Sequence, residues 1–132
     1  MSAPSEARRL ELASSDSAAF EARAFVHQVA GHVNASLLAD LLLVVSELVT
    51  NSVIHGPGQA ITVELALKGT EHVRGEVGDQ GAATPEQKVV DTGPGTPGGF
   101  GLMLVDRLTS RWGVREGTTD VWFELESARS TA

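Results

Sequence analysis

Cysteine is absent from the 132 residues, which excludes disulfides, thiol nucleophiles and cysteine-ligated metals. Basic residues are scarce: ten Lys and Arg stand against seventeen Asp and Glu, for a formal net charge of −7. A chain of that sign is repelled by a phosphate backbone, so direct nucleic-acid binding is not expected. The four histidines, His27, His32, His55 and His72, lack the spacing of a structural zinc site. Long apolar runs are missing as well. The longest, Leu41 to Val45, falls far short of the ~20 residues a membrane-spanning helix needs. Met1 to Arg9 is polar and is followed by no apolar core of a secretory signal. These absences predict a soluble, cytoplasmic protein with no membrane contact. What is present is a globular composition, 42% apolar with a mean hydropathy of +0.01, in a chain long enough for one domain with its own core.

The elements alternate in type. Residues 8–13 alternate as a short edge strand. Ser14, Ser15, Asp16 and Ser17 offer N-caps for a helix over about 17–30, in which Ala18, Ala22, Phe25, Val26 and Val29 recur at helical spacing before Gly31 stops it. A second helix carries Leu38, Leu41, Leu42, Val45, Val49, Ser52 and Val53 on one stripe, the expected core face, and stops at Gly56-Pro57-Gly58. Ile61, Val63, Leu65 and Leu67 alternate, Gly69-Thr70 turns, and Val73, Gly75 and Val77 alternate again, which predicts a hairpin. Residues 81–99 are rich in Gly, Pro and Thr and show no periodicity. A helix over about 100–109 follows, and then Arg111 to Arg115 and Val121 to Leu125 form a last hairpin around Glu116-Gly117-Thr118-Thr119. Helices and antiparallel strands segregate, so the expected class is α+β in two layers.

Residues 47–55, Glu-Leu-Val-Thr-Asn-Ser-Val-Ile-His, hold the most chemistry. Glu47 and Asn51 are four residues apart, one turn along the same helix face. A carboxylate accepts a proton or orients a hydroxyl, and a carboxamide oxygen is a neutral hard ligand for magnesium. Their face lies nearly opposite the expected core stripe, in line with Asp40, and surrounds the pair with Val44, Thr50 and Ile54 instead of Lys and Glu. Two readings fit: a solvated polar face, or the floor of a cleft. His55, in line with Asn51, either reaches that cleft or caps helix carbonyls.

Two glycine-rich segments flank the aperiodic stretch. Val77-Gly78-Asp79-Gln80-Gly81 places a carboxylate where a strand ends. It is an ordinary turn, or an acceptor for the exocyclic amine of adenine. Gly98-Gly99-Phe100-Gly101-Leu102 opens a helix. It is a tight loop-to-helix junction, or a place where phosphate oxygens meet free amides at a helix N-terminus. No strand leads straight into it, which excludes a dinucleotide fingerprint, and the Gly-Lys-Ser/Thr ending of a P-loop is missing.

The order of these motifs resembles the Bergerat nucleotide-binding fold, the GHKL superfamily of gyrase, heat-shock 90 chaperones, histidine kinases and MutL proteins. Ser46 to His55, Gly99 to Leu108, Trp112-Gly113-Val114 and Val121 to Leu125 resemble one branch closely, the anti-sigma factor serine/threonine kinases and their actinobacterial ATP-binding relatives. The resemblance spans roughly residues 15–126. It implies a two-layer α/β sandwich with a mainly antiparallel sheet, an N-terminal arm over 1–14, a lid over 82–98 and a frayed tail over 127–132. It implies ATP or ADP with Mg2+ as ligands. Glu47 would be the base, and Asn51 would hold magnesium on the triphosphate. Asp79 would select adenine, Gly81 would let the backbone come close, and Gly99, Gly101 and Leu102 would meet the phosphates, with His55 beside the nucleotide.

Two positions depart from the pattern. Ala83 stands at the last glycine of the usual Asp-x-Gly-x-Gly, and Asp120 stands where close relatives have Thr before Val-Trp. A second carboxylate beside Asp79 repels it unless it points away or a neighbouring threonine takes its place. The lid carries Lys88 as its one basic residue. Arg23 faces solvent or the nucleotide, and Trp112 and Trp122 are read as packing residues. The resemblance further implies a kinase that sequesters a sigma factor, phosphorylates an anti-anti-sigma (STAS-type) partner and forms a homodimer. The alternative reading is a nucleotide-responsive binding module that holds a regulator without phosphorylating it. A detached histidine-kinase catalytic domain fits less well, since no helix with a phosphoacceptor histidine accompanies it.

Overall fold

The computed structural model describes residues 7–80 and 99–127, with the backbone alone at 99–101. Gly81, Ala83 and the expected lid therefore lie outside the described residues, as does the tail beyond Ser127. In chain order the elements are β1 (Ala7–Leu12), α1 (Ala18–Ala30), α2 (Ala35–His55), β2 (Ile61–Lys68), β3 (His72–Gly78), α3 (Gly99–Leu108), β4 (Arg111–Val114) and β5 (Val121–Glu126). The strands form one five-stranded sheet in the order β1-β2-β3-β5-β4, with every neighbouring pair antiparallel. The expected edge strand and both hairpins are present. Each lies within two residues of its predicted bounds.

Register follows from which residues must leave water. Leu10, Leu12, Ile61, Val63, Leu65, Val73, Val77, Phe123 and Leu125 share one sheet face and meet across the ladders at Leu12↔Ile61, Leu10↔Val63, Val63↔Val77 and Val73↔Leu125. A one-residue slip of any strand turns its apolar set to the solvent side. Gly75 is opposite Phe123 and leaves room for its ring: a Cβ there would stand 2.3 Å from Phe123 Cζ.

The three helices lie on that apolar face. α2 begins at Asn34, whose side-chain Oδ1 accepts from the N–H groups of Ser36 and Leu37 at 2.9 and 3.3 Å, satisfying two donors that have no intrahelical partner. It packs between α1 and α3 and touches β2, β3 and β5 beneath. Enclosure from so many sides widens its buried sector beyond the expected stripe. Leu37, Leu41, Val44, Val45, Leu48, Val49 and Ser52 are buried, while Leu38, Leu42 and Val53 are half-buried against the core. Val44, expected on the polar face, is completely buried. The single-stripe reading assumed a helix with one dry side, and α2 has dry flanks as well. Among the described residues α2 is also the one helix, at 21 residues and a hydropathy of 1.8, that has the length and composition to cross a membrane. Here that apolar character serves as the central helix of the core.

The outer sheet face carries charge. Glu124 accepts from Arg74 at 3.1 Å and Arg111 at 3.0 Å, and these two guanidinium groups lie 5.0 and 5.9 Å from the Trp122 ring centre. Trp122 lies against Gly113, on the opposite face from Trp112, so the two tryptophans do not share one packing role. Trp112 donates its Nε1–H to Asp106 Oδ1 at 2.9 Å, joining β4 to α3. Ser127, just past β5, donates its N–H to Glu71 O at 2.8 Å, and its hydroxyl bonds the Glu71 carboxylate.

Candidate functional site

The ends of α2 and β3 and the approach to β5 meet at one corner of the molecule, and Asp79 stands at their junction. It is 6% exposed and, with Ser52, makes up the buried polar side chains among the described residues. Thr119 donates its hydroxyl proton to Asp79 Oδ1. On another side, the carboxylate lies against Gly56, the residue that follows α2. An ordinary turn aspartate sits in water, whereas this carboxylate is walled in by a helix end and the approach to a strand. Such burial requires a partner for its charge, and Thr119 is one.

Thr119 and Asp120 face opposite ways. The Asp120 carboxyl stands over Gly78, on the outer side of the sheet, where a Cβ on Gly78 would be 2.4 Å from Asp120 Oδ1. Both conditions for tolerating this second carboxylate are met: Asp120 points away, and the neighbouring threonine bonds Asp79. Burial, then Glu76 and then Asp79 push the Asp120 carboxyl above the usual carboxylate range, with Arg115 opposing. Glu76 is itself clamped by Arg115, from Nε at 3.0 Å and Nη2 at 2.5 Å. That pairing holds the Arg115 guanidinium more firmly protonated than usual.

Gln80, directly after Asp79, has φ of 65° and is the one non-glycine with positive φ among the described residues. A left-handed residue with a side chain carries strain, and here it turns the chain sharply off β3 beside the buried carboxylate.

Glu47 and Asn51 are both half-buried on the flank of α2, and Asn51 is engaged by the surrounding structure. Leu43 and Ile54 are exposed along the same side. Arg23 on α1 donates from Nη1 to Ser46 Oγ at 3.3 Å, placing an exposed guanidinium next to the residue before Glu47. His55 ends α2 and is exposed. Gly99 and Gly101 lie in the first turn of α3, a helix packed on α2, so the predicted glycines do open a helix beside the Glu47 helix. Leu102 is half-buried against the core and also lines an open cleft with Met103, Asp106, Arg107 and Trp112. Gly81 lies outside the described residues.

Sequence reasoning assigned no site role to Gly56, which reads as a helix stop, or to the left-handed turn at Gln80. It raised a neighbouring threonine only as a condition. Thr119 was findable from strand alternation alone: extending β5 backward by two residues puts Thr119, not Asp120, on the side of Val121.

Among the described residues no group of three or more His, Cys, Asp and Glu converges as a metal cage.

Residues 12–125 match the histidine kinase-like ATPase domain family. A comparison with curated proteins finds no match. Among solved structures, the chain is similar to the crystal structure of the RsbU and RsbW domains of Rv1364c from Mycobacterium tuberculosis. The TM-score is 0.66 and the identity 26%, over 92% of this chain and 31% of that one. The chain thus spans about a third of the length of the structure it matches.

Proposed function

The chain belongs to the histidine kinase-like ATPase family, and from that premise we propose that it is an ATP-binding regulatory kinase of the anti-sigma factor type. The observation that carries the reading is Asp79, a buried carboxylate bonded by Thr119 at the foot of the helix that bears Glu47 and Asn51. A buried, fixed acceptor favours a base that offers a donor, as the amine of adenine does. Asn51 would hold the magnesium, and the first turn of α3 would present its free amides to phosphate oxygens. Bound Mg-ATP would supply the phosphoryl group and the charge neutralisation its transfer needs. Glu47 would orient a serine or threonine hydroxyl of the protein substrate and take its proton. Half-burial suits Glu47 to that task, because a carboxylate on a helix flank keeps its geometry while staying within reach of a second protein.

The likeness to a chain built of RsbU and RsbW domains supports a partner switch. In it the nucleotide state decides whether a sigma factor or a STAS-type anti-anti-sigma protein is held. A homodimer and a cytoplasmic location belong to the same proposal.

Calorimetric titration of ATP and ADP, with and without magnesium, tests the site. Wild-type protein is expected to bind in the micromolar range only with magnesium, with heats lost in Asn51→Ala and Asp79→Asn. Glu47→Ala is expected to keep nucleotide and partner binding and to lose phosphoryl transfer to a STAS-type protein. A wild type that gives no heat with either nucleotide would falsify the reading.

A further inference from the structure

Gly56 follows α2 directly and donates its N–H to Ser52 O at 2.9 Å. Its backbone is extended, with φ −78° and ψ 175°, a conformation open to every residue, so left-handed freedom is not the reason for a glycine here. Space is. A Cβ at position 56 would stand 2.8 Å from Asp79 Oδ2, 3.1 Å from Asp79 Cγ and 2.4 Å from Ser52 O. Gly58, two residues on, is the reverse case: its φ is +85° and nothing lies within 4 Å of where a Cβ would be. Asp79 has little room to retreat, being 6% exposed and bonded at Oδ1 by Thr119. The carboxylate is therefore held between a hydroxyl and a bare Cα.

We propose that Gly56 is a positioning residue for base recognition: the side chain it lacks is the space in which the Asp79 carboxylate stands, so residue 56 sets where the base-reading acceptor is presented. This rests on the adenine-nucleotide reading above. A methyl group at 56 displaces the acceptor by a fraction of an ångström to an ångström, and hydrogen-bond readout weakens steeply over that range. Phosphate contacts at α3 are made by other elements and are unaffected, so the signature is lost base selectivity and not general weakening.

The test titrates ATP and GTP, with magnesium, into the full chain as wild type and as Gly56→Ala. Thermal unfolding is followed for wild type, Gly56→Ala, Asp79→Ala and the double variant. In Gly56→Ala, ATP affinity is expected to fall about tenfold toward that for GTP, the size of one lost hydrogen bond to a charged group. The fall in Tm caused by Gly56→Ala is expected to be smaller in the Asp79→Ala background, because part of the collision is gone. Equal losses for ATP and GTP, or the same fall in Tm in both backgrounds, overturn the proposal and leave Gly56 as a cap acting through Ser52. If Gly56→Ala does not fold, the double variant decides: recovered folding supports the proposal, and continued unfolding overturns it. A wild type that binds ATP and GTP alike removes the adenine reading together with this proposal. A preference for ATP retained by Gly56→Ala overturns this proposal alone.

Discussion

On the approach to β5 the backbone sends the Thr119 hydroxyl to Asp79 and the Asp120 carboxyl over Gly78, on the other face of the sheet. The second of these has a cost. Burial and the neighbouring Glu76 and Asp79 raise the folded pKa of Asp120 above its unfolded value. A carboxyl shifted upward contributes stability only while protonated, below the unfolded value near about pH 4, and loses it as pH rises through the folded pKa. Asp120→Asn is therefore expected to raise Tm at pH 7 and to change it little near pH 3, as thermal unfolding at the two pH values will show. The outcome fails if the gain is equal at both. Residues of this kind are the least legible in a sequence. Asp120 is the residue that catches the eye in the sequence, as a second carboxylate before the Val-Trp of the last strand, while its role depends on a facing that only strand parity decides. Gln80 is less legible still, since nothing in its chemistry announces a left-handed backbone.

Helices and strands were far easier to read, because each advertises its period. The alternation of Ile61, Val63 and Leu65 and the spacing of Ala18, Ala22, Phe25 and Val26 reflect burial on one face, and those residues are buried. α2 was harder. A helix enclosed by α1, α3 and the sheet has no single stripe, which is why Val44 was misplaced while Leu41, Val45, Val49 and Ser52 were not. Its start was passed over as well. Asn34 caps it through Ser36 and Leu37, and the Asn34 N–H donates to Thr70 O at 3.0 Å, fixing the helix start to the β2–β3 turn. Replacing Asn34 with Ala is expected to destabilise the fold by about 1 kcal/mol, read as a lower denaturant midpoint with an unchanged slope. A neutral result would show that the Thr70 link, which alanine keeps, holds the helix start unaided.

For the whole molecule, the layer of helices on one side of the sheet was evident from the segregation of helical and strand patterns, and the order of strands was not. Nothing local tells β5 to insert between β3 and β4. The fit of Phe123 against Gly75 gives one physical reason for the arrangement. Filling that space with Gly75→Ala drives a Cβ into a fully buried ring, and overpacking of this kind costs about 1–3 kcal/mol. In a domain whose total stability is about 5–15 kcal/mol, this is expected to appear as a clear drop in the chemical unfolding midpoint. An unchanged midpoint would mean that the β3–β5 pair yields easily to accommodate the ring. The placement of α2 at the centre has a consequence for inheritance. Leu48 and Val49 fill the core while Glu47 and Asn51 line its flank, all within two turns, so a lineage cannot drift in one set without disturbing the other. The ion pairs of Glu124 with Arg74 and Arg111, on the far side of the sheet, carry no such double duty.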